Sequence, residues 1–110
     1  ATGTAIPTQA RSVLIQESPI AGFQFHQGEA IWPLLKVGEP LVLVREPNNA
    51  HDPDAVAVYL QEEKLGYIPR AENNAIAGMM DRGETLAASI SKLSVKEDPW
   101  ERVRFTVFLF

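Results

Sequence analysis

A chain of 110 residues, 45% hydrophobic and 22% charged, can bury one core but is too short to join a catalytic domain to a separate cofactor domain. Ten basic against fourteen acidic residues give a net charge of −4. That counts against tight, non-specific wrapping of duplex nucleic acid, which needs a dense basic face, while a local site for one or two phosphates remains compatible with it. The absence of cysteine excludes disulfides, thiolate metal sites and cysteine nucleophiles. No apolar run approaches the ~18 residues of a membrane span.

Residues 1–9 lack apolar periodicity and read as a flexible tail, leaving 10–110 as a single domain. The opening from Ala1 is small and uncharged. It suits the start of a mature exported chain, which would be periplasmic, and equally a boundary within a longer cytoplasmic one. Ala10 to Glu17 is aliphatic and predicts a strand, punctuated by Ser18-Pro19. A second short strand is expected over Ile20 to Phe25. Ile31, Leu34 and Leu35 then fall at helical spacing, so a short helix ending at Gly38 is expected, with Pro33 as its irregularity.

Leu41 to Arg45 is a continuous apolar strand, followed by the turn-rich connector EPNNAHDPD. Ala55 to Leu60 alternates with period two, Gln61 to Glu63 is a hairpin turn, and Lys64 to Ile68 is the return strand. Pro69 suits the first position of a helix that runs to Arg82 and stops at Gly83, with Ile76, Met79 and Met80 as its apolar stripe. Residues 85–95 and 100–110 form a last pair of strands joined by KEDPW. In the final strand Val103, Phe105, Val107 and Leu109 oppose Arg102, Arg104 and Thr106. About six or seven short strands against two helices, with no βαβ period, point to a mainly β antiparallel barrel.

Signals for catalysis are scarce. His51, Asp52 and Asp54 are too close together along the chain to converge readily on a metal ion, and no HExxH, GxSxG or glycine-rich phosphate loop occurs. The chain is expected to be no enzyme and to need no cofactor. The informative block is 41–70. There Asn48, Asn49 and Asp52 are suited to bonding with local backbone, Gly66 permits close approach of another chain segment, and Tyr67 joins an aromatic body to a polar tip.

The order GFQFHxG, then VGEPLxLVREPNNxxDPDAVAVY, then KLGYIPR resembles the HIRAN domain over about residues 12–108. The resemblance implies a modified OB-like antiparallel β-barrel of about six strands with two α-helices. It is similar to the free-standing bacterial members. In members belonging to DNA translocases, the domain holds the 3′ end of single-stranded DNA. Aromatic side chains stack on the terminal bases, an acid meets the 3′-hydroxyl, and basic groups hold phosphate. Carried to this sequence, Phe25 and His51 take the stacking positions, and Asp52 takes that of the hydroxyl-binding acid. Gln24 falls where the DNA-binding members carry arginine, Tyr67 where they carry a histidine that contacts nucleic acid, and Arg70 at a phosphate contact. The function implied is non-enzymatic recognition of single-stranded DNA 3′ ends, as in DNA repair. The alternative is a protein-interaction or envelope-associated module that retains the fold without the DNA site, its partner then a protein. A small hydrolase ranks last.

Overall fold

A computed structural model describes residues 12–23, 32–94 and 101–110. The tail expected over 1–9, the start of the first strand, the candidates Gln24 and Phe25, the first part of the helix expected after Gly28 and the KEDPW connector lie outside these residues. Six strands are described: β1 (Val13–Pro19), β2 (Pro40–Arg45), β3 (Val56–Leu60), β4 (Glu63–Tyr67), β5 (Leu86–Leu93) and β6 (Val103–Leu109), with one α-helix, α1 (Asn74–Asp81), between β4 and β5. All strand pairs are antiparallel, in the order β1-β6-β5-β2-β3-β4.

The alternation in the sequence places the core. Val56, Val58 and Leu60 of β3 are buried, as are Val103, Phe105 and Val107 of β6, and they meet Leu65, Ile68 and Ile90 on the inner face. Burying each such side chain contributes about 1.5–3 kcal/mol. The arginines of β6 alternate outward, and Arg104 bonds Glu17 on β1 at 3.3 Å.

The outer edges of the sheet approach one another just beyond β1. Ala21 and Tyr67 exchange both backbone hydrogen bonds, at 2.8 and 2.9 Å, which joins the chain leaving β1 to β4 and gives the sheet its barrel-like form. Gly66 makes this seam possible. At φ 151° it lies where side chains are strained, and an added Cβ would run into the Ala21 carbonyl oxygen and come within 2.7 Å of Ile20.

The structure corrects three expectations drawn from the sequence. Ile20 to Phe25 is no strand in its described part: Ala21 makes a single bridge, and Gly22 turns the chain at φ 75°, sending Ile20 and Phe23 into the core. The helix expected up to Gly38 is, in its described part, a 3₁₀ turn at Trp32–Leu34. Pro33 has no N–H to extend a helical ladder, whereas the Leu35 amide to Trp32 carbonyl bond, 3.1 Å, does not need one. Leu34 is consequently exposed while Leu35 is buried.

The helix expected over Pro69 to Arg82 is divided. A 3₁₀ turn, Arg70–Glu72, precedes α1, and Asn73 stands between them. Asn73 is 2% exposed and its side chain is engaged elsewhere, which fixes the break there. The apolar stripe of α1 is correspondingly Ile76 and Ala77, both buried, with Met80 packed at the edge of the core. No helix among the described residues is long and apolar enough to cross a membrane.

Candidate nucleic-acid interface

The connector between β2 and β3 is held by its own side chains. The Glu46 amide donates to the Ala55 carbonyl at 3.0 Å, closing the loop at its base, and the Asn49 amide donates to the Glu46 carbonyl at 3.1 Å. Asn49 Oδ1 then accepts from the amides of His51 (2.8 Å) and Asp52 (3.1 Å). Asp52 Oδ1 accepts from the Asp54 amide at 2.9 Å, and the Asp52 carbonyl accepts from the Ala55 amide at 3.1 Å. Asn and Asp rigidify a loop in this way by supplying acceptors that the extended backbone leaves out.

Asp52 also reaches across the molecule. Its Oδ2 accepts from Asn73 Nδ2 at 2.7 Å, so the residue that interrupts the helix orients this carboxylate. The hydrogen bond from the Asp54 amide, aided by Asn73 and by the charges of Arg70 and Arg45, outweighs partial desolvation and holds the Asp52 carboxyl below its ordinary value. It is therefore ionised and a pure acceptor at neutral pH.

Tyr67 stands on β4 at the seam. Its hydroxyl donates to Glu46 Oε1 at 2.9 Å and accepts from Lys64 Nζ at 2.6 Å. Lys64 Nζ lies 3.1 Å from Glu46 Oε2 and 4.3 Å from the Tyr67 ring centroid. Burial pushes the Glu46 carboxyl up, but the hydrogen bonds from Asn49, Tyr67 and Lys64 together overcome this and hold it below its ordinary value.

Between loop and seam lies an open groove of about 410 Å³ lined by Ala21, Asn49, His51, Asp52, Ala55, Tyr67, Ile68 and Arg70. Four of the six sequence candidates, His51, Asp52, Tyr67 and Arg70, line it together, drawn from the loop, β4 and the 3₁₀ turn. Gln24 and Phe25 lie outside the described residues. Ala21, Ala55 and Ile68 give the groove apolar lining, and the polar side chains ring them. Arg70 is exposed, and neither the nearby Glu72 nor Glu46 of the loop pairs with it. Glu72 accepts from the Ser18 hydroxyl at 2.8 Å, and Glu46 is engaged by Asn49, Tyr67 and Lys64.

Asn49 lines the groove but is a site residue that the sequence reading assigned only to loop stability. Glu46, Lys64 and Asn73 stand behind it; Glu46 and Lys64 fall inside the REPNN and KLGYIPR motifs, which give them no role, and Asn73 falls in neither. Among the described residues no cluster of three His, Asp or Glu side chains is placed to hold a metal ion.

Among the described residues, six antiparallel strands, a bridge that draws the outer edges together and the groove beside that bridge define a small OB-like β-barrel. The chain belongs to the HIRAN domain family, whose sequence profile matches residues 13–109. A crystal structure of a Lactobacillus plantarum protein superposes on it with a TM-score of 0.76 at 29% identity, covering 89% of this chain and 94% of that one. The HIRAN domain of human HLTF superposes with a TM-score of 0.65 at 20% identity, over 93% of this chain and 80% of the other, a likeness of fold. A Fanconi-associated nuclease 1 homolog of Oryza sativa subsp. japonica is 34% identical over 79 residues, 68% of this chain. The chain spans about 8% of that nuclease homolog's length.

Proposed function

We propose that this HIRAN domain binds nucleic acid without catalysing a reaction, and that its groove recognises the 3′ end of a single strand of DNA. The observation that carries the reading is the convergence of His51, Asp52, Tyr67 and Arg70 from three separate segments on one groove. The apolar lining and the rings of Tyr67 and His51 suit the face of a base, and stacking contributes about 1–3 kcal/mol per base without regard to its identity. The family resemblance adds Phe25 as a further stacking residue, with Gln24 beside it.

Asp52 supplies the selection for an end. A carboxylate offers about four lone-pair positions, and two are occupied by Asp54 and Asn73. Those that remain accept a hydrogen bond from a terminal hydroxyl, a strong one because the acceptor is charged. A phosphate in the same place, terminal or internal, is repelled. Arg70, across the groove and unpaired with any described residue, supplies the cation for the penultimate phosphate.

Fluorescence anisotropy with short labelled oligonucleotides at low salt tests this. The 3′-hydroxyl strand binds more tightly than the 3′-phosphorylated one, and Asp52→Asn abolishes the difference. Asparagine retains the acceptor for Asp54, and Asn73 can rotate its amide to present its own oxygen, so the loop keeps its shape while the charge is gone. Equal binding of both ends by the wild type, or no binding of either, overturns the proposal and favours a protein-interaction module.

A further inference from the structure

We infer that Glu46, which does not line the groove, is the residue that positions both of its walls. The inference rests on the function proposed above. A single oxygen of Glu46, Oε1, accepts from Asn49 Nδ2 at 3.0 Å and from the Tyr67 hydroxyl at 2.9 Å. The first contact governs the loop wall. With its amide nitrogen held by Glu46, Asn49 directs its oxygen at the amides of His51 and Asp52. The orientation of Glu46 is thereby transmitted to the backbone that carries the stacking imidazole and the hydroxyl-binding carboxylate. The second contact governs the strand wall, because it turns the Tyr67 hydroxyl toward Glu46. The other carboxylate oxygen, Oε2, is held by Lys64 at 3.1 Å, so Glu46 is itself fixed.

The chemistry explains why a carboxylate stands here. Three donors from two segments, the loop and β4, converge on one side chain: an amide NH₂, a phenol and an ammonium. An ionised carboxylate accepts from all of them, whereas an amide could accept at only one oxygen. Charged acceptors also make the stronger hydrogen bonds. The phenol is doubly engaged, donating to Glu46 and accepting from Lys64. These bonds commit the Tyr67 hydroxyl away from a ligand, so phosphate binding falls to Arg70. Lys64 contributes no free charge to the groove for the same reason: its ammonium is matched by Glu46.

Two variants separate positioning from mere support of the fold. Glu46→Met retains the side-chain stem and removes both acceptors; Glu46→Gln retains one acceptor for Asn49 and Tyr67. Backbone amide shifts of His51 and Asp52 are read by NMR, and the preference for 3′-hydroxyl over 3′-phosphate ends by anisotropy. In Glu46→Met both amides move, and the end preference falls about tenfold, the equivalent of one charge-assisted hydrogen bond. Glu46→Gln restores the amide positions and most of the preference. Unmoved amides with an unchanged preference in Glu46→Met overturn the inference. A wild type without end preference overturns the proposed function instead, and the amide shifts alone then decide the role of Glu46. Should Glu46→Met fail to fold, the wild-type Asn49 side-chain amide decides: protons slow to exchange with solvent support the inference, and protons exchanging as fast as an exposed asparagine's refute it.

Discussion

Arg70 and Asp52 illustrate two ways in which a charged side chain can stand at a site. Arg70 has no hydrogen bond or ion pair to any described residue, so its removal disturbs little in the fold. Arg70→Ala is expected to lower oligonucleotide affinity and to reduce the salt slope by about 0.7, the share of one phosphate on a single strand. Thermal stability stays close to wild type, as for most surface substitutions. Titration at several salt concentrations checks both, and an unchanged slope would remove Arg70 from the phosphate contacts. Asp52 is the opposite case. It orders the loop through Asp54 and ties that loop to Asn73, so truncation to alanine mixes a structural loss with a binding loss. The charge-neutral Asp52→Asn separates the two.

At the scale of elements, the seam between Ala21 and Tyr67 depends on residue 66 having no side chain. Gly66→Ala would force apart two backbones that exchange two hydrogen bonds, and would strain a φ that alanine rarely adopts. Overpacking of this kind costs about 1–3 kcal/mol, enough to lower the urea midpoint measurably with the slope unchanged. A Gly66→Ala protein as stable as the wild type would mean that the barrel does not close here. Most strands are legible, because period-two patterns bounded by turn residues have little other reading; the exception is Ile20 to Phe25, whose described part is turned by Gly22. Val56, Val58 and Leu60 fall on the core face as their alternation implies, although Ala57 on the opposite face is buried as well. Helices were read too long, since apolar spacing is blind to tertiary competition for a side chain. The Asn73 side chain bonds Asp52 rather than capping α1, and Pro33 reduced the described end of a predicted helix to one turn. The REPNN loop and Arg70 could be found from motif spacing. Glu46, Lys64 and Tyr67 could not be grouped in advance, because their contact depends on the register of β3 on β4 and on the fold of the β2–β3 loop.

Across the whole molecule, the carboxylates with lowered pKa values all join segments remote in sequence, and this sets the response to pH. Glu17 on β1 is held low chiefly by the Ser91 hydroxyl of β5, with Arg104 of β6 assisting against partial desolvation. Asp52 joins the loop to the residue before α1, and Glu46 joins the loop to β4. A carboxyl whose folded pKa lies below its unfolded one favours the native state fully above the unfolded value, about 4. As pH falls through that value the unfolded chain takes up protons first, and the contribution disappears as the folded group titrates in turn. Lys64 behaves inversely. Burial opposes its charge, but Tyr67 and Glu46 together raise its pKa, so its contribution persists below about pH 10.4 and is lost as pH rises past that value. Stability should therefore be nearly flat from about pH 6 to 9 and decline below about pH 4.5 as the three carboxylates lose their partners. Urea midpoints measured across this range test the shape. Glu46→Gln should lower the plateau and make the acid decline shallower, since one of the groups that titrates is gone. A midpoint at pH 3 equal to that at pH 7 would show that these contacts between segments contribute nothing to holding the barrel together.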